Sequence, residues 1–351
     1  MDINYLSKYI KYKQKYQQLR TLNGIGGSSI GKTSKDPSSI GTPSNRLEGY
    51  ANKRLDTFTI PSNVTEIYTS ALNRNLLTKI DIPSSVIIIG ANSFSENRLT
   101  TLDIPSSVTD IQAYAFSTNK LTTVNIPSSV IKIGELAFSK NNLTTINIPS
   151  SIEVIYKGTF SFNKLTTVNI PSSVKIIGEE AFLDNKLITV NIPSSVTEIK
   201  KKAFSTNELT TVNIPSSVKI IGEEAFSRNK LTTLNIPSSI TTIYASSFSN
   251  NQLSIVNIPS SVTHIGTNAF YDNLLTIVNI PSSVTNIGFG AFRRNKLTIL
   301  NIPSSVLKID DLAFSDNLSL KEITIPKKFK SEFKRIFDFR KTDTNVKMTY
   351  I

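Results

Sequence analysis

The chain has no cysteine and no tryptophan, a single histidine and two methionines. Without cysteine there can be no disulfide framework, no thiolate metal site and no cysteine nucleophile. The lone imidazole, His264, leaves zinc or acid–base chemistry without its usual donors. No apolar run reaches the ~18 residues that a membrane-spanning helix needs. The opening residues Met1-Asp2-Ile3-Asn4-Tyr5-Leu6-Ser7-Lys8 lack the apolar stretch and small residues of a secretory signal, so an intracellular location is expected. Aromatics make up 8%, with 14 glycines and 15 prolines, a composition that is neither collagen-like nor wholly disordered.

Basic residues clearly outnumber acidic ones only at the ends. Residues 1–54 hold ten Lys/Arg against three Asp/Glu, and residues 327–351 hold eight against three. The 272 residues between them are nearly balanced at 21 against 20. The net charge of +13 therefore belongs to the termini. Nucleic-acid binding needs clustered base on one surface, so no specific nucleic-acid partner is expected.

What the sequence does have is a repeat. Ile-Pro occurs at Ile60-Pro61 and every 22 residues to Ile302-Pro303, then once more, one residue late, at Ile325-Pro326. Thirteen of the 15 prolines are used in this way. Counted from each proline of the twelve full units, Ile stands at offset +6 from Ile67 to Ile309, and Asn at +14 from Asn75 to Asn317. Phe stands at +11 except at Leu72. A 22-residue unit cannot bury a core alone, but stacked units file like side chains into columns. The expected fold is a β-rich repeat solenoid of about 12 coils of 22 residues, with short parallel strands and a helix at each terminus.

Within a unit, Leu121-Thr122-Thr123-Val124-Asn125-Ile126 has the form of a leucine-rich repeat strand, with Val124 and Ile126 inward and Thr123 and Asn125 outward. Pro127 ends it because it has no N–H to donate. Val130 and Ile133 bring a second extended stretch back, and Ala137 and Phe138 close the coil. Asn at +14 is expected to take a left-handed backbone and to bond its amide to the neighbouring coil.

The unit L-T-T-V-N-I-P-S-S-V-x-x-I-G-x-x-A-F-S-x-N resembles the BspA-like class of leucine-rich repeats from Leu55 to Pro326, with Asn where that class commonly has Cys. The resemblance implies a non-enzymatic, protein-binding leucine-rich repeat protein with no cofactor and no shared catalytic residue. Bacterial members are often exported adhesins, which makes surface adhesion the alternative. The head, Tyr5-Leu6-Ser7-Lys8-Tyr9-Ile10-Lys11-Tyr12-Lys13-Gln14-Lys15-Tyr16, is similar to a leader on many proteins of giant, mimivirus-type DNA viruses of amoebae. It implies a viral chain, found in host cytoplasm or virion and directed at host proteins.

The sequence divides into a basic amphipathic helix (1–20), a Gly/Ser/Pro linker (21–46), the solenoid (47–326) and a C-terminal cap (327–351). Leu47 to Ile60 reads as a degenerate half-unit over the first coil. In the cap, Phe329, Phe333, Ile336 and Phe337 share one helix face, and Val346, Met348 and Tyr350 alternate as in a strand. Gly26-Gly27-Ser28-Ser29-Ile30-Gly31-Lys32-Thr33 fits the phosphate-loop pattern G-x-x-x-x-G-K-T, a second alternative in which the chain binds nucleotide. A Gly/Ser tract precedes it and Pro37 follows, where a strand and a helix are needed, so it is read as a chance match.

Binding is expected on the exposed strand face, which carries two stripes. One runs from Lys79 through seven threonines, Thr101 to Thr233, to Ile255, Ile277 and Ile299. The other runs Asp81, Asp103, then Asn125 to Asn301 at 22-residue intervals. The outward isoleucines, with Thr233, Asn257, Asn279 and Asn301, form the candidate patch for a protein partner, with self-association left open. Arg98, Lys120, Lys164, Lys186, Lys230 and Lys296 recur at +15 as a solvated ridge, and Glu179-Glu180, Lys201-Lys202 and Glu223-Glu224 put opposite charges side by side. No metal ligands or catalytic residues are expected.

Overall fold

Each 22-residue unit is one turn of a three-sided path whose corners the sequence marks. The Pro-Ser-Ser corner closes when the Val130 N–H donates to the Pro127 carbonyl at 3.1 Å. A two-residue strand follows, Lys132–Ile133. Two further tight turns run from Gly134 to Ala137 and from Leu136 to Ser139. The chain then crosses the third side as the strand segment that leads to the next proline. This is a computed structural model, and it describes residues 45–338 and 346–351. The sequence-predicted helix at 1–20, nearly all of the 21–46 linker, and Gly26–Thr33 lie outside the described residues.

Coils join on all three sides by backbone hydrogen bonds, with alternating donor direction. On the first side the later coil donates: Gly178 N–H to Ile155 O, 2.8 Å. On the second side the earlier coil donates, from Glu180 to Lys201 at 2.8 Å and from Phe182 to Ala203 at 2.9 Å. On the third side the later coil donates again, Lys186 to Leu165 at 2.9 Å.

The first-side strands are parallel and in register. Arg46–Leu47, Glu66–Ile67, Ile88–Ile89, Asp110–Ile111 and Lys132–Ile133 form one sheet, and two four-stranded sheets continue the series to Lys308–Ile309. The third side, where the main strand was expected over Leu121–Ile126, is shorter than that. It is three residues long where regular, as in Thr123–Asn125, and falls to single bridges between Asn147, Asn169, Asn191 and Asn213. The cause is local. Pro127 has no N–H, and the Leu121 N–H is taken by the Asn141 side chain at 3.0 Å, so only the middle of the run is free to pair.

The core is a set of columns. Eleven phenylalanines, Phe94 to Phe314, are at most 1% exposed, and their rings stack at 5.2–5.9 Å between neighbouring coils. Such offset pairs add about 0.5–1.5 kcal/mol each beyond area burial. The asparagine column bonds as expected: Asn185 accepts from Leu165 N–H at 3.0 Å and donates to Phe160 O at 3.0 Å in earlier coils. Its backbone is not left-handed, however. The positive-φ residues stand at +9 and +13, two per coil, and only Gly158 and Gly290 among them are glycines. The turn falls one residue before the asparagine because the +13 N–H must point at the next coil, as Asp184 does toward Ser205 O at 3.1 Å.

A shortened coil precedes the twelve full ones and another follows, which brings the stack to about fourteen turns rather than twelve. In the first, Arg46–Leu47 pairs with Glu66–Ile67, Leu47 is buried, and Leu55 N–H bonds to the Asn75 amide oxygen at 3.0 Å. At the other end the one α-helix among the described residues is short, Phe333–Phe337, preceded by a 3-10 segment, Lys327–Glu332. Phe337 stacks on Phe314 at 5.7 Å, and the carbonyls of Arg335 and Ile336 accept from Leu312 and Phe314, where a further coil would otherwise stand. Arg335 is held by Asp311 and Glu332. Lys347–Tyr350 adds a last parallel strand beside Glu322–Ile325.

Candidate protein-binding face

The third side presents the two stripes. Period-two alternation turns Leu234, Val256, Val278 and Leu300 into the core and leaves Thr233, Ile255, Ile277 and Ile299 facing out, with Asn235, Asn257, Asn279 and Asn301 beside them. The register is direct: Thr233 lies opposite Ile255, and Ile277 opposite Ile299. The strands of Ile255 and Ile277 are neighbours. The three isoleucines are 66, 61 and 43% exposed, against 5% or less for the inward residues between them. Three stacked isoleucines present on the order of a few hundred Å² of apolar surface, comparable with the largest patch of a typical monomer, which is often functional.

The two asparagine columns behave oppositely. The buried amides at +14 each bond to neighbouring backbone, whereas Asn257, Asn279 and Asn301 are exposed and, among the described residues, make no side-chain hydrogen bond. Over its middle the outward offsets +17, +18 and +20 carry no charge, with the +15 residues Lys120, Lys164, Lys186, Glu208, Lys230 and Lys296 along its border, and charge returns to the stripes at their ends. Lys79 pairs with Asp81 at 3.0 Å near one end, and Lys347 with Glu322 at 3.8 Å at the other.

Elsewhere the polar groups are spread out. The +15 lysines are exposed, and Lys230 bonds to Glu208 at 2.9 Å, holding that carboxyl below the usual glutamate range. Lys201 meets Glu223 at 2.8 Å, which raises the lysine, and Lys202 meets Glu224 at 3.6 Å. Lys157 meets Glu179 at 3.1 Å, a pair not singled out from sequence. Exposed pairs of this kind contribute at most about 1 kcal/mol. His264 is exposed on the first side, and its ring meets Thr263 Oγ1 at 2.8 Å. Among the described residues no three His, Asp or Glu converge as a metal site would require, and no helix is long and apolar enough to cross a membrane.

Sequence reasoning missed the second serine of Pro-Ser-Ser. Except at Ser217 its hydroxyl donates to the preceding coil, as Ser173 does to Ile152 O at 2.6 Å, which explains why the corner repeats Ser and not merely a small residue. It also missed isolated exposed side chains such as Leu307 and Leu318. These fall at variable offsets and carry no periodic signal.

A sequence profile described as the BspA type leucine-rich repeat region (six copies) matches residues 47–166, 153–276 and 264–350. Among solved structures, a leucine-rich repeat protein of Bacteroides ovatus is 26% identical with a TM-score of 0.63, over 84% of this chain and 83% of that one. A leucine-rich cell-surface protein of Faecalibacterium prausnitzii is 25% identical over 83% of this chain and 86% of its own, at a TM-score of 0.49. No curated protein matches. With the profile spanning nearly all of the stacked coils, the chain belongs to the BspA-type leucine-rich repeat family.

Proposed function

We propose that the chain is a non-enzymatic recognition scaffold that holds a protein partner against its third side, anchored on Ile255, Ile277 and Ile299 and bordered by Thr233, Asn257, Asn279 and Asn301. The observation that carries this is the change from outward threonine to outward isoleucine in three consecutive coils, with exposures of 66, 61 and 43%. An apolar centre inside a polar border is the arrangement of a protein contact. A strand face fixed by coil-to-coil bonds loses little freedom when a partner docks. Near-identical coils offer no singular polar cluster for chemistry, which supports binding over catalysis. The intracellular setting, and host proteins as partners of a viral chain, rest on the similarity of residues 5–16 to giant-virus leaders.

The test is capture. Full-length chain and an Ile255→Asp/Ile277→Asp variant are immobilised and exposed to host-cell extract. Proteins retained by the first are expected to fall by about tenfold or more on the second. Equal retention by a variant with an unchanged melting temperature overturns the reading.

A further inference from the structure

We infer that the partner of this face is a second copy of the chain, packed antiparallel about a two-fold axis through Ile277. This rests on the reading of the face as protein-binding. The first argument is charge. From Thr122 to Asn301, nine successive coils place only Thr, Ser, Ile and Asn at the outward offsets +17, +18 and +20, in a chain of net charge +13. Charged residues border it at +15, among them Lys186, Lys230 and Lys296, but a partner bearing charges at its centre would have to desolvate them against offsets with no counter-charge. A copy of the same face meets that condition.

The second argument is the chemistry of the columns. A threonine hydroxyl and an asparagine amide each donate and accept, so a column of them can satisfy its own copy, whereas lysine or glutamate columns repel theirs. The Asn257, Asn279 and Asn301 amides are free of side-chain bonds among the described residues and point outward. The third is pitch. Both faces repeat at the same coil spacing, ~4.8 Å, so two copies stay in step coil after coil, which a foreign surface does not do.

The register follows from burying all three isoleucines. A two-fold axis at Ile277 sets Ile255 against the copy's Ile299, while a shift by one coil faces an isoleucine with a threonine or with Glu322. Glu322 and Lys347 then come opposite Thr233 and Thr211 at the rim, where they stay hydrated. The antiparallel sense follows from the C-terminal segment. A parallel pair would bring together two clusters of Lys327, Lys328, Lys330 and Lys334, and the antiparallel pair separates them. The overlap of seven coils is a few hundred Å² per copy, below the ~800 Å² of a standard interface, so the dimer is weak and reversible.

Because the chain has no cysteine, one introduced thiol reports one position. Sedimentation equilibrium of full-length protein is expected to show a mass that rises with concentration from 38.7 kDa toward twice that value. Ile277→Asp is expected to hold it at the monomer mass, and Ile277→Thr, which repeats the residue of earlier coils, to weaken association without disturbing the fold. Under mild oxidation Ile277→Cys is expected to give a disulfide-linked dimer. Thr211→Cys, whose copies lie about six coils or ~29 Å apart, is expected to give none. Wild-type protein that stays monomeric, or a Thr211→Cys variant that cross-links as fast as Ile277→Cys, overturns the dimer. If the protein is monomeric yet Ile277→Asp still loses captured proteins, only the second copy is refuted and the binding face stands.

Discussion

Asn185 makes four hydrogen bonds with one buried side chain. Its oxygen accepts from Leu165 N–H at 3.0 Å, and its nitrogen donates to the carbonyls of Phe160, Phe182 and Leu183 at 3.0, 3.2 and 3.4 Å. The three carbonyls have other donors, Asn163 for Phe160 O, Asn207 for Phe182 O and the Phe162 N–H for Leu183 O, but the Leu165 N–H depends on Asn185. Asn185→Ala should strand that one donor in the core and cost about 1–3 kcal/mol, read as a lower midpoint in chemical denaturation. Thr206 carries the opposite expectation. It is β-branched and held at φ 56°, a left-handed conformation that such residues avoid, while its N–H still bonds to Ser227 O at 3.0 Å. Thr206→Gly keeps that bond and relieves the strain, so it should leave stability unchanged or raise it by up to about 1 kcal/mol. A loss above 1 kcal/mol in the same denaturation assay would contradict this. The asparagine's bonding could be read from sequence because one residue type fills the offset in every coil. The left-handed positions could not, since Glu, Lys, Leu, Thr, Phe and Asp all occupy them, half-buried or exposed. There the inter-coil hydrogen bond dictates the backbone, and no residue type records it.

At the scale of the strand and the turn, the repeat announced which residues face the core but not which stretch pairs best. Ile at +6 and Phe at +11 are invariant or nearly so, and both are buried along the stack. The L-x-x-V-x-I run looks more strand-like than Lys132–Ile133, yet the latter side forms the more regular ladder. Hydrophobic alternation reports burial, whereas pairing depends on which N–H groups are still free. Proline and the Asn141 amide remove two of those donors at the ends of the run, a competition that only the folded coil reveals. The candidate face was legible for the same reason that the core was: outward and inward offsets alternate strictly, so Ile255, Ile277 and Ile299 could be placed outside before any coordinates existed. Their exposure values, and the absence of charge beside them, complete that placement.

Across the whole molecule the coils are not interchangeable, despite their similarity. At offset +7, just past the first-side strand, glycine alternates with larger residues through Gly134, Tyr156, Gly178, Lys200, Gly222, Tyr244 and Gly266, and the order breaks at Gly288. A Cβ on Gly178 would lie 2.5 Å from Ile155 O and 2.8 Å from Tyr156 C, and one on Gly222 would lie 2.6 Å from Lys201 N. Each of Gln112, Tyr156, Lys200 and Tyr244 instead follows a glycine coil. At the next offset Lys157 faces Glu179 and Lys201 faces Glu223, so charge alternates with the same two-coil period. Deleting residues 171–192, one full coil, keeps every core column but sets Lys200 against Tyr156 and Lys201 against Lys157. Deleting residues 171–214, two coils, sets Gly222 against Tyr156 and Glu223 against Lys157, which restores both alternations. A stack stabilised only by its number of coils would melt lower after losing two than after losing one. Backbone overpacking costs about 1–3 kcal/mol, equivalent to a few degrees, so the order should reverse: the two-coil deletion melts above the one-coil deletion. Thermal unfolding of the two variants beside the full chain decides it. Melting temperatures that simply follow length would mean that the alternation carries no energy and that each coil adapts to whatever precedes it.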